Sequence, residues 1–108
     1  YVSGHGSRQF DSSPIPIHQI SKIRKSINKS TVLIYDTGIR NGEDILKALC
    51  LGADFVMIGK HALFSIAAEG FDGLVQMTNN LKKEIEIAMA QMGNFDINKL
   101  NSKYLNDF

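Results

Sequence analysis

His5 and Arg8 stand three residues apart in the run Gly4-His5-Gly6-Ser7-Arg8-Gln9, where glycines loosen the backbone and polar groups crowd together. An imidazole takes up a proton near neutral pH, and a guanidinium grips a carboxylate with two parallel N–H donors. The pair therefore suits proton abstraction from a bound organic acid. Two further clusters, Asp36-Thr37-Gly38-Ile39-Arg40 and Gly59-Lys60, carry a different chemistry. Gly38, Gly59 and the helix start after Asn41 offer bare backbone N–H groups, and Arg40 and Lys60 add positive charge, a combination that holds a phosphate. Asp36 can accept hydrogen bonds from sugar-like hydroxyls. Taken singly, each glycine also reads as a turn or a cap, Arg40 as a solvated charge, and His5 as a structural or solvated imidazole. His18 and His61 carry only that plainer reading. With three isolated histidines and no carboxylate at ligand spacing, no metal site is expected.

The elements between these clusters decide whether they meet. Tyr1-Val2-Ser3 is a short β-prone stub running into the His5 loop. Ser12-Ser13-Pro14-Ile15-Pro16 is turn chemistry, and Ile17, Ile20, Ile23 and Ile27 then repeat at helical spacing between lysines and an arginine. Thr31 to Tyr35 is a continuous β-branched and apolar run, the pattern of a strand covered on both faces. Asn41 can cap a helix whose buried face is Ile45, Leu46 and Leu49, and Gly52 stops it. Ala53 to Ile58 repeats the buried-strand pattern. Leu63 to Ala68 predicts a short helix, and Leu74, Met77, Leu81, Ile85, Ala88 and Met92 predict a long one ending at Gly93, with Lys82-Lys83-Glu84-Glu86 as its solvated face. Phe95 to Phe108 is polar and Asn-rich and reads as a loosely packed tail.

Strand, helix and strand in so short a span make a βαβ unit, whose two strands run parallel through a right-handed crossover. The fold class is α/β. In parallel α/β folds the loops that follow the strands emerge at one end of the sheet, so the three clusters are expected to face one site.

Composition excludes several function classes. Twelve Lys and Arg against 11 Asp and Glu give a net charge of +1, without the one-sign surplus that nucleic-acid tails or polybasic membrane patches need. Hydrophobic residues at 44% and charged residues at 21% supply enough apolar surface for a core. No apolar run approaches the ~18 residues that would span a bilayer. The single cysteine, Cys50, excludes an internal disulfide and a Cys-rich zinc site and fits a reducing compartment. The expected location is the cytoplasm. The chain opens at Tyr1 with neither Met nor a charged leader before it, which suggests a start within a longer protein.

The segment from Val2 to Asp11 resembles the active-site segment of the FMN-dependent α-hydroxy acid oxidases and dehydrogenases, the family of glycolate oxidase, lactate oxidase and L-lactate dehydrogenase (cytochrome). Asp36 to Asp44, followed by Ile45-Leu46-Lys47-Ala48-Leu49, resembles its FMN-phosphate segment. Gly59-Lys60 resembles the second phosphate segment, and Leu81 to Gly93 is similar to the closing helix. The resemblance implies the C-terminal portion, about three βα units, of a TIM (β/α)8 barrel whose usual size is ~250 residues. Residues 1–93 would be those units and 94–108 a polar tail.

It further implies FMN as cofactor and a small L-2-hydroxy acid, lactate- or glycolate-like, as substrate, oxidised to the 2-oxo acid. His5 would be the base, Arg8 the carboxylate anchor, Asp36 a contact of the ribityl chain, and Gly38, Arg40, Gly59 and Lys60 the phosphate ligands. The missing N-terminal barrel half would come in cis or in trans. The complete protein would be a homo-oligomer, cytoplasmic or peripheral at the inner face of the membrane, and the 108-residue chain alone would be inactive. Gly4 stands where the family carries Asn, Ser7 and Thr37 where it carries Gly, Lys60 where it carries Arg, and His61 where it carries Pro. Gly38-Ile39-Arg40 and Ala53 to Gly59 also resemble the inosine monophosphate dehydrogenase and type 2 isopentenyl diphosphate isomerase families, which do not supply His5-Gly6-Ser7-Arg8-Gln9. A noncatalytic fragment is the remaining alternative.

Overall fold

Residues 1–106 are described by a computed structural model. Strands Ile34–Tyr35 (β1) and Phe55–Val56 (β2) pair in parallel, with Ile34 opposite Phe55 and Tyr35 opposite Val56. On the other side of β1, Val2 forms a parallel bridge to Tyr35, donating to Ile34 O at 2.8 Å and accepting from Asp36 N at 3.0 Å. Three parallel segments thus stand side by side with β1 between the other two.

The helices follow the apolar spacing. After a tight turn over Pro16–Gln19, helix α1 (Ile20–Ser26) buries Ile20 completely and lays Ile23 against the core, with Ile17 and Ile27 flanking it. Arg24 on its outer side reaches Asp54 Oδ2 at 2.9 Å and Thr31 O at 2.6 Å. Helix α2 (Gly42–Cys50) is the crossover between β1 and β2, and Asn41 caps it by accepting the Asp44 amide at 2.9 Å, as expected. Ile20, Leu33, Tyr35, Ile39, Ala48, Leu51 and Ala53 form the core. Each of its larger aliphatic side chains contributes about 1.5–3 kcal/mol by leaving water.

Both strands are shorter than the apolar runs that announced them. Leu33 N donates to the Asp54 carboxylate at 2.7 Å, while Leu33 O accepts the Asp54 and Phe55 amides, so a side chain replaces the ladder at the start of β1. Of the two faces expected to be covered, this chain covers one. Leu33, Tyr35 and Ala53 point into the core, whereas Val32, Phe55 and Met57 are 55%, 60% and 51% exposed. One face of the small sheet packs on helices and the other lies open.

Helix α3 (Lys60–Gln91) contains both helices read from the sequence as two arms, and the first arm starts at Lys60 rather than near Leu63. The arms meet where Glu69 and Gly70 leave helical geometry, Gly70 at φ 60°, a conformation open to glycine at little cost. Glu84, exposed as its place on the solvated face predicts, also reaches the start of α2 and accepts the Gly42 amide at 2.7 Å. The stretch expected as a loose tail is tied down in part. Asn94 is buried, short turns run over Ile97–Lys99 and Ser102–Tyr104, and Leu105 packs on the core. The last two residues of that stretch lie outside the described residues.

Candidate active site

His5, Arg8, Asp36, Gly38, Arg40, Gly59 and Lys60, taken from three separate loops, all border one groove of about 900 Å³. They meet because Val2, β1 and β2 run parallel and release their following loops at the same end.

The His5 loop is a tight left-handed turn. His5, Gly6 and Ser7 have φ of 50°, 67° and 56°, and Ser7 N donates to Gly4 O at 2.8 Å. Such a backbone costs the two non-glycine residues about 1–3 kcal/mol each, and it persists because neighbours hold it. His5 N donates to Ser3 Oγ at 3.0 Å, Arg8 Nε to His5 O at 3.3 Å, and Lys60 Nζ to Gly6 O at 3.2 Å. Lys60, expected at the phosphate, thus also braces the loop that carries the candidate base. The His5 and Arg8 residues are exposed on the groove.

Asp36 gathers three donors at the end of β1: Tyr1 OH, Ser3 Oγ at 2.6 Å and Thr37 Oγ1 at 2.8 Å. Burial pushes its carboxyl up, but these hydrogen bonds and the nearby His5 outweigh burial and hold it below the usual carboxylate range. The same contact raises the Tyr1 phenol, chiefly through its hydrogen bond to Asp36. A carboxylate accepts about four hydrogen bonds, so room remains for one hydroxyl of a ligand. Thr37 has φ 97°, an unfavourable backbone for a β-branched residue. Tyr35 OH donates to Thr37 O at 2.8 Å, and burial, followed by the charges of Asp36 and Asp44, pushes this phenol up to about 12.

The phosphate end differs from the expectation at one helix. Most of the N–H groups at the start of α2 are already engaged: Gly42 N is taken by Glu84 and Asp44 N by Asn41, and just before the helix Arg40 N is taken by Asp44 Oδ2 at 3.1 Å. The start of α3 is the open one. Among the described residues no side chain caps it at Gly59, and the spaces where a Cβ would stand at Gly38 and Gly59 are clear to 4 Å. Beside it, His61 Nδ1 is buried without a hydrogen-bond partner among the described residues. Uncapped N–H groups, an orphaned imidazole nitrogen and the charges of Arg40 and Lys60 fit a phosphate-terminated group such as FMN. Sequence reasoning assigns no site role to Tyr1, Ser3 or Tyr35, and His61 reads there only as a structural or solvated imidazole. The roles of Ser3 and Tyr1 depend on Asp36, 33 and 35 residues away, and that of His61 on a nitrogen's lack of a partner among the described residues, neither of which local spacing signals, whereas Tyr35 reaches Thr37 only two residues on.

The sequence model of one family, the FMN-dependent dehydrogenases, matches residues 1–107. A 2-hydroxyacid oxidase of Dictyostelium discoideum is 39% identical over 106 residues, which cover 98% of this chain and 27% of that protein. An L-lactate oxidase of Lacticaseibacillus rhamnosus is 41% identical over 93 residues, covering 86% of this chain and 25% of its own length. The crystal structure of a soluble mutant of the membrane-associated (S)-mandelate dehydrogenase from Pseudomonas putida superposes with a TM-score of 0.92 at 34% identity, over 99% of this chain and 30% of that one. The chain spans about a quarter of the length of the curated relatives it matches. Its fold is α/β, a portion of about three βα units of a TIM barrel. Among the described residues no helix is long and apolar enough to cross a membrane. With the family's segments present in order and the backbone superposing over nearly its whole length, the chain belongs to the FMN-dependent α-hydroxy acid oxidases and dehydrogenases.

Proposed function

We propose that this chain supplies the base loop and the FMN-phosphate cradle of an enzyme that oxidises a small L-2-hydroxy acid, lactate- or glycolate-like, to its 2-oxo acid. The observation that carries the reading is the shared groove: the imidazole and guanidinium of His5 and Arg8 border the same space as Arg40, Lys60 and the uncapped start of α3.

Arg8 pairs with the substrate carboxylate through parallel N–H donors and so fixes the carbon that bears the hydroxyl. His5 accepts the proton that the substrate gives up as it is oxidised. Gly38, Arg40, Gly59 and Lys60 hold the phosphate, and the free acceptor position of Asp36 takes a ribityl hydroxyl. The oxidation removes two electrons and two protons; with one proton on His5, the chemistry that FMN supplies when bound is acceptance of the electron pair together with the second proton's equivalent. Residues 1–93 act as barrel units and 94–108 as a polar tail. The open sheet face with Val32, Phe55 and Met57 is covered by the rest of the barrel, in cis or in trans, within a homo-oligomer that is cytoplasmic or peripheral at the inner face of the membrane.

A chimera tests this. The 106 residues that match the D. discoideum 2-hydroxyacid oxidase replace their counterpart in that protein, and the flavin-loaded protein is mixed anaerobically with lactate, glycolate and larger 2-hydroxy acids. Bleaching of the flavin by the small acids is the expected result. A chimera that folds and retains FMN but is not reduced by any of them would overturn the reading.

A further inference from the structure

The Thr37 side chain joins two segments that are far apart in sequence. Its Oγ1 accepts the Gly4 amide at 2.8 Å and donates to Asp36 Oδ1 at 2.8 Å. The same Asp36 oxygen accepts Ser3 Oγ at 2.6 Å, and Ser3 Oγ in turn accepts the His5 amide at 3.0 Å. A closed ring of hydrogen bonds therefore runs from the end of β1 through Ser3, Gly4 and His5 and back to Thr37.

Thr37 occupies this place against its own backbone preference, at φ 97°, with its carbonyl held from the other side by the Tyr35 phenol. A strained residue persists where its surroundings over-determine it, and such residues concentrate at functional sites. Position 4 is shaped to match. A Cβ at Gly4 would fall 2.6 Å from Pro16 Cγ and 3.3 Å from Thr37 Cγ2, so the amide reaches the hydroxyl only because no side chain stands there.

We propose that Thr37 is a positioning residue whose hydroxyl clasps the Gly4 amide to the Asp36 carboxylate and so fixes how the His5–Arg8 loop stands over the groove. The importance of that loop rests on the function proposed above; the clasp itself is read without flavin or substrate.

Amide hydrogen exchange of the 108-residue chain, read by mass spectrometry with fragmentation to single residues, tests it in Thr37→Val and Thr37→Ser variants. Valine keeps the shape and branching and removes the hydroxyl, whereas serine keeps the hydroxyl. Loss of one hydrogen bond should speed Gly4 exchange about fivefold in the valine variant, while Val2 and Asp36, whose amides bond to Ile34 O and Val2 O, keep their rates. The serine variant should restore the Gly4 rate. Equal acceleration of Gly4, Val2 and Asp36 would mean general loosening and would overturn the clasp, as would an unchanged Gly4 rate in valine or no rescue by serine. Because no cofactor enters the measurement, failure of the flavin chimera leaves this result standing, and the reverse.

Discussion

The Glu84 carboxylate, carried on the second arm of α3, accepts the Gly42 amide at 2.7 Å and closes the start of α2. The approach is close enough that a Cβ on Gly42 would fall 2.6 Å from Ile85 N. The positive end of the α2 dipole is thereby met by the chain's own carboxylate, and the start of α3 is left without a side-chain cap among the described residues.

Glu84→Ala should therefore destabilise the fold by about 1–2 kcal/mol, through loss of the cap and its charge. Glu84→Gln, which keeps an acceptor without the charge, should lose about 0.3–1 kcal/mol. Denaturant unfolding of the two variants checks both values, and an alanine variant as stable as the parent would remove Glu84 from the joint between α2 and α3.

Tyr35 makes the stability of the β1 end depend on alkaline pH. Its phenol is raised from 10.0 to about 12, so the contribution of the neutral form is fully present below pH 10 and is lost as the pH rises towards 12. Tyr35→Phe should cost about 1 kcal/mol at neutral pH, because Thr37 O loses its donor, and should flatten the fall in stability over that alkaline interval. Unfolding measured at neutral pH and across the interval separates the two effects.

Much of this architecture was legible because it is local. Asn41 capping α2, the isoleucine spacing of α1, the two helical stretches that became the arms of α3 and the parallel order of the segments all follow from neighbours in sequence. The site clusters were legible for the same reason, since parallel strands release their loops at one end. What escaped depends on long-range contacts. Glu84 looks like one more surface charge among Lys82, Lys83 and Glu86 until α3 folds back on α2. The ladder looks longer than it is until Asp54 takes the Leu33 amide, and Thr37 looks only strained until Gly4 reaches its hydroxyl.

The 108-residue chain alone should not hold FMN tightly. The proposed phosphate ligands do not hold the ring, because an isoalloxazine ring needs walls, and the face with Val32, Phe55 and Met57 is open. That face should drive self-association. Gel filtration with added FMN, read for size and for flavin retention, is the check; a monomer that retains stoichiometric FMN would contradict it.

Arg8→Lys in the flavin-loaded chimera should raise KM for the hydroxy acid at least about tenfold while FMN affinity stays unchanged, because only the guanidinium offers two parallel donors to a carboxylate. Steady-state kinetics beside flavin titration decide it. Equal losses in both would move Arg8 from the substrate to the cofactor.

The most direct measurement is stopped-flow flavin reduction in the chimera carrying His5→Gln. With His5 as the base, FMN remains bound and its reduction by lactate or glycolate slows by roughly 10²–10⁴-fold, the usual contribution of general-base catalysis. Reduction at the parent rate, with the variant folded and loaded, would contradict the assignment of His5 and with it the proposed role of this loop.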